Sequence, residues 1–156
     1  MPNPYHAPTA RPEDVFKVLA RTPTGRALLE RFSSFYARGT VKFEPYPEAM
    51  MKRLRETIPS GHPVGACLVW ENDSCEKGSL FFDPANPLGV AAPFVAHEIA
   101  TIGTGKREKR ELAALKIQIR FSEELRQRDS DFDSFLKENL LQARLLHAIL
   151  NFEEAA

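Results

Sequence analysis

No charge of one sign dominates this sequence: 21 Lys and Arg stand against 21 Asp and Glu, a formal net charge of zero with His neutral. Domains that live by electrostatic contact with nucleic acid carry a marked basic excess, so that partner class is not expected. Long apolar runs are also missing, and none approaches the ~20 residues that cross a bilayer. Residues 1–11 hold three prolines and no apolar core of the kind a signal peptide needs, so a cytoplasmic location is expected, with no membrane partner. There is no internal repeat, low-complexity tract or linker. With two cysteines, Cys67 and Cys75, there is no disulfide framework. They flank the tip of an expected hairpin, and in that compartment such thiols are more often unbridged; whether they pair stays open.

What is present suits one domain. The chain has 156 residues, 43% hydrophobic and 27% charged, enough to bury a core of ordinary size. Residues 1–11 read as a mobile N-terminal arm and 12–156 as the domain. Pro12-Glu13-Asp14 opens a short helix whose buried side is Val15, Phe16, Val18 and Leu19. Thr22-Pro23 reads as an N-cap followed by proline at the first helical position. Leu28, Leu29, Phe32, Phe35 and Tyr36 recur behind it at helical spacing, and Gly39 marks the stop.

Strands are expected at 40–45, where residues alternate beside proline at a sheet edge, and at 64–71 and 79–83, which form a hairpin. The run Val64 to Trp70 is almost wholly apolar and reads as a central strand covered on both faces. A helix restarts at Pro47-Glu48 between the first two. After the turn Asp83-Pro84-Ala85-Asn86-Pro87-Leu88-Gly89 comes a helix over about 90–102, with Pro93 held to its first turn. Gly103-Thr104-Gly105 breaks the chain. Two long C-terminal helices follow, one over about 106–128 and one from Ser130-Asp131 onward, both with broad apolar stripes. The class is α+β: a small mixed β-sheet packed against several α-helices.

Chemistry concentrates in Ala92-Pro93-Phe94-Val95-Ala96-His97-Glu98-Ile99-Ala100-Thr101. On a helix, His97 and Thr101 share a face, being four residues apart. A zinc peptidase carries His at both positions, and the Glu between them takes a proton from the metal-bound water. Here the second position is Thr101, whose neutral hydroxyl is a poor zinc ligand beside imidazole. Glu111 lies in Glu111-Leu112-Ala113-Ala114 on the next helix.

Other constellations are weaker. Gly103-Thr104-Gly105-Lys106 lacks the first Gly and the final Ser or Thr of a phosphate loop, and the segment before it reads as helix. Asp129, Asp131 and Asp133 lack the Gly and terminal Glu of a calcium loop. No serine sits in a nucleophile-elbow context. Lys106-Arg107-Glu108-Lys109-Arg110 reads as a solvated helix face.

Residues 64–126 resemble the core of gluzincin-type zincin metallopeptidases, particularly small bacterial ones. The resemblance rests on the hairpin before the helix, the Asp83-Pro84 to Leu88-Gly89 approach, His97-Glu98 and the Glu111-x-x-Ala114 helix. It implies a zincin-like domain with an active-site helix under a small twisted sheet. By the resemblance His97 and Glu111 are metal ligands and Glu98 is the catalytic general base; no family role transfers to Thr101. His62, His147, His6 and Cys75 are the remaining candidates for a third ligand, and none has local support. Three readings follow. The preferred one is a degenerate zincin without peptidase activity that binds a protein or peptide partner in the ancestral cleft, with no cofactor expected. The second is a zinc-dependent peptidase using His97, Glu111 and an unidentified third ligand. The third is a helix on which His97 is an ordinary hydrogen-bonded histidine.

Overall fold

A computed structural model describes residues 3–71, 77–102 and 107–135, together with Ala148. In chain order the elements are α1 (Pro12–Leu19), α2 (Pro23–Ala37), β1 (Val41–Pro45), α3 (Glu48–Thr57), β2 (Cys67–Trp70), β3 (Gly78–Phe82), α4 (Leu88–Ala100) and α5 (Arg107–Arg128). Short 3-10 turns stand at Pro4–His6 and Ser130–Phe132. The class is α+β, with a three-stranded mixed sheet against the helices. The break expected at 103–105, and most of the second C-terminal helix with His147, lie outside the described residues. No helix among those described is long and apolar enough to cross a membrane.

Local chemistry explains most boundaries. Thr22 caps α2 by accepting the Gly25 N–H at 2.9 Å, and Pro23 fills the first turn where a missing N–H does no harm. Asp129 caps the turn at 130–132 by accepting from the Asp131 N–H.

The sheet order is β1-β3-β2, with β1 parallel and β2 antiparallel to β3. Edge placement of β1 agrees with its flanking prolines. The apolar run at 64–70 does not form the central strand: β3 does, and β2 lies at the other edge, with Val69 42% exposed. A hairpin partner must sit beside β3, and the parallel pairing of β1 takes β3's other side. Composition of one strand cannot reveal that order.

On the covered face Val41, Phe43, Leu80 and Phe82 meet the helices, and Phe43 stacks on Phe82 with ring centroids 4.9 Å apart. The hub is α4. Ala91, Ala92, Pro93, Val95, Ala96, Ile99 and Ala100 are all buried, because α1, α2, α5 and the sheet close round it. Pro93, expected in a first turn, is instead interior, since the helix starts at Leu88. Proline forfeits an amide bond there, which costs a few kcal/mol in an exposed helix. Burial on all sides holds the helix together across it.

The N-terminal segment, read from composition as a mobile arm, is packed. Tyr5 is 1% exposed, and its hydroxyl donates to Asp129 Oδ2 at 2.6 Å while accepting from Arg21 Nη1 at 2.7 Å. Thr9 donates from both N–H and hydroxyl to the Asn86 carbonyl, and Leu88 N–H donates to the Ala7 carbonyl. The segment thereby ties down the turn that launches α4. Two anchors in a proline-rich stretch create no periodicity, which is why pattern reading misses them.

Tyr5→Phe is expected to lower stability by about 1–2 kcal/mol, since Asp129 loses a donor and Arg21 an acceptor. Burial first, and then the bond to Asp129, pushes the Tyr5 phenol up to about 12. A raised phenol stabilises the fold in full below its unfolded value of about 10, and that contribution is lost as pH rises through about 12. Urea titration of both proteins at neutral and alkaline pH measures it; equal midpoints throughout would refute the role.

Candidate functional site

His97 and Glu98 stand in the last turn of α4, where the helix passes between α5 and β2. Their side chains diverge. His97 turns to α5: its Nδ1 lies 2.9 Å from Gln118 Oε1, and its Nε2 lies 2.9 Å from Glu111 Oε2. Glu98 turns to the sheet and accepts the Leu68 N–H through Oε2 at 3.1 Å. The imidazole is largely covered, at 14% exposed, and Glu111 is open at 39%. The site therefore has a buried nitrogen and a carboxylate at its mouth.

Glu111 and Gln118 are seven residues apart on α5, about two turns, so they share the face toward α4. His97 and Glu111, which the resemblance pairs as metal ligands, stand 2.9 Å apart because both lie on faces that two packed helices turn toward each other. Gln118 escaped notice. Its one signal is a polar residue on the apolar stripe between Leu115 and Phe121, itself 7% exposed. A buried amide in such a place calls for a partner.

The β2 contact follows from ladder geometry. Glu71 N–H donates to the Lys77 carbonyl at 2.8 Å, so alternate residues Val69 and Cys67 also face β3 with their hydrogen-bonding groups. Leu68 and Trp70 turn theirs away from β3, toward the open edge. Glu98 takes the Leu68 amide in the position that a neighbouring strand's carbonyl would occupy.

Burial raises the Glu98 carboxyl above its ordinary range; His97 and the Leu68 N–H pull it back, and Glu111 adds to the rise. Tyr46 lies nearby, a second residue that pattern reading missed. It donates to the Gly65 carbonyl at 2.6 Å and stacks on Phe81. Burial first, and then Cys67, Glu98 and Asp83, keep its phenol well above the usual range. No sequence signal marks Tyr46, because its relation to Glu98 depends on how β1 lies against the hairpin.

A carboxyl with a raised folded pKa stabilises most below its unfolded value and loses that contribution as pH rises through the folded one. Glu98→Gln removes the ionisation and keeps an oxygen for the Leu68 N–H. The variant's stability, relative to wild type, is thus expected to improve as pH climbs from acid to neutral. Paired urea titrations across that range would read it, and a difference flat with pH would sink it.

Among the described residues, the candidate third ligands do not join the site. The Thr101 hydroxyl donates to the Glu98 carbonyl at 2.6 Å, closing the end of α4. His62 is exposed in the loop before β2, and the His6 ring packs on Phe135 at 4.8 Å. His147 and Cys75 lie outside the described residues. Cys67 is exposed on β2. Among the described residues no three His, Cys, Asp or Glu side chains gather to hold a metal ion. A tetrahedral zinc centre with three protein ligands is therefore not complete in them. No protein-family model, curated protein or solved structure matches the chain.

Proposed function

We propose that this chain is a degenerate zincin-like protein without peptidase activity, which binds a protein or extended peptide in the cleft beside β2. What supports the reading is the use each motif residue already has. Thr101, at the place of the second histidine, bonds the end of its own helix, and Glu98, at the place of the general base, bonds the edge strand. A base that must take a proton from water gains nothing from such a bond. β2 lies at the sheet edge, and apart from the Leu68 amide that Glu98 takes, its outward backbone groups suit strand addition, in which backbone bonds give affinity and side-chain pockets give selectivity.

The experiment is elemental analysis of protein purified without a metal-affinity tag, with a peptidase assay on the same sample. Substoichiometric metal and no turnover are expected. Stoichiometric zinc with cleavage that Glu98→Gln abolishes would overturn the proposal. That outcome would favour the second reading, a zinc peptidase built on His97 and Glu111 with a further ligand and Glu98 as base. The observation in its favour is that His97 Nε2 and Glu111 Oε2 stand 2.9 Å apart.

A further inference from the structure

We propose that the Glu98 side chain is an autoinhibitory plug on the outward edge of β2, holding the Leu68 amide against an incoming strand. The two edges of the sheet are protected differently. β1 ends on Pro45. The bonds from Gly78 N–H to the Thr40 carbonyl and from Tyr46 N–H to the Phe82 carbonyl turn Pro45 outward, where it has no N–H to offer. β2 has no proline. Its Leu68 faces outward with both an N–H and a carbonyl, the two groups an antiparallel neighbour takes. Glu98 reaches across from α4 and accepts that N–H at 3.1 Å, filling the place of a neighbouring strand's carbonyl. A side chain thus does for β2 what proline does for β1.

On the reading of β2 as a docking edge, an extended chain gains the Leu68 bond only by displacing Glu98. The occupant that the plug excludes is a second copy of this chain, because the edge is complementary to itself. In an antiparallel register centred on Leu68, the two Leu68 residues exchange both backbone bonds. The exposed Val69 of each copy then lies opposite the exposed Cys67 of the other, an apolar cross-strand pair on the open face. Edges left unguarded in this way pair chain to chain.

Sedimentation of the full chain over a rising concentration series, with amide exchange at Leu68 read by NMR, tests the plug. Wild type is expected to stay monomeric with a protected Leu68 amide. Glu98→Ala should form dimers at least about tenfold more tightly than wild type, a gain of the size one freed backbone bond supplies. Its Leu68 amide should exchange faster than in wild type when dilute, and regain protection as dimers form. Glu98→Gln keeps an acceptor at the same reach and should behave as wild type. Glu98→Asp keeps the carboxyl but is one methylene short of Leu68, and should behave as the Ala variant. Should Glu98→Ala fold poorly, the Gln and Asp variants still decide. Zinc content and turnover test the reading of the cleft separately, so the plug can fail while that reading stands. Folded Ala and Asp variants that stay monomeric overturn the proposal, as do dimers that leave the Leu68 amide unprotected. A Gln variant that dimerises as the Ala variant does overturns it too, because an oxygen on Leu68 would then guard nothing.

Discussion

Gly25→Ala is expected to lower stability by about 3 kcal/mol or more, the upper end of what overpacking does. A Cβ at this position would lie 1.9 Å from the Leu19 carbonyl oxygen and 2.9 Å from the Thr22 hydroxyl. Leu19 ends α1 and is fully buried, so its carbonyl cannot retreat. The start of α2 cannot slide away either. Thr24 holds the Glu124 carboxylate of α5 through its N–H and its hydroxyl, at 2.9 and 2.7 Å. Relief of the clash must break the Thr22 cap, those bonds, or the close turn between α1 and α2. For a chain of this length the loss corresponds to a fall of roughly 10 °C in melting temperature. Gly65→Ala is the control, since the nearest atoms to a Cβ there belong to the Phe94 ring, at 3.5 Å or more. Calorimetry on both variants tests the contrast, and a loss below about 1 kcal/mol for Gly25→Ala would show that the junction can adjust.

That junction also shows what a sequence can and cannot disclose. Thr22-Pro23 is a local signal, and the cap it announces is present, because an N-terminus is specified by the few residues that make it. The close approach of Leu19 is tertiary, and no spacing reveals it. The same division runs through the site. His97 and Glu111 were paired only through the zincin resemblance; their 2.9 Å approach depends on how α4 and α5 pack, which no spacing within either helix discloses. Gln118 looked like a break in an apolar stripe. Its meaning depends on a side chain from another helix. Sheet order was hidden for a related reason: an apolar run can be an edge strand whenever helices cover one of its faces. Val69, exposed, and Leu68, half-buried, alternate within it.

Thr101→His tests whether the cleft keeps the geometry of a metal centre, and a gain in zinc affinity of about 100-fold or more over wild type is expected, near 2.7 kcal/mol. Position 101 follows His97 by four residues and keeps right-handed helical backbone angles, φ −75° and ψ −13°. Its Cβ therefore lies on the His97 face of α4. An imidazole there would join His97 Nε2 and Glu111 Oε2, which already stand 2.9 Å apart. Those three would leave a fourth position open for water, the arrangement of catalytic zinc. Gln118 supplies the outer-shell acceptor that metal-bound histidines ordinarily have. Against the gain stands the loss of the Thr101 bond to the Glu98 carbonyl, about 1 kcal/mol, which lowers the stability of the metal-free variant. Zinc should reverse that loss, because a ligand that binds only the folded chain raises its stability by mass action. Competition against a chromophoric chelator measures the affinity, and a thermal scan with and without zinc measures the linkage. Adding Glu111→Gln should remove most of the gain, since a neutral amide replaces a carboxylate ligand. If Thr101→His folds as wild type does yet binds zinc no more tightly, the end of α4 does not present position 101 to the His97–Glu111 pair. The zincin-like reading of this cleft would then lose its geometric basis.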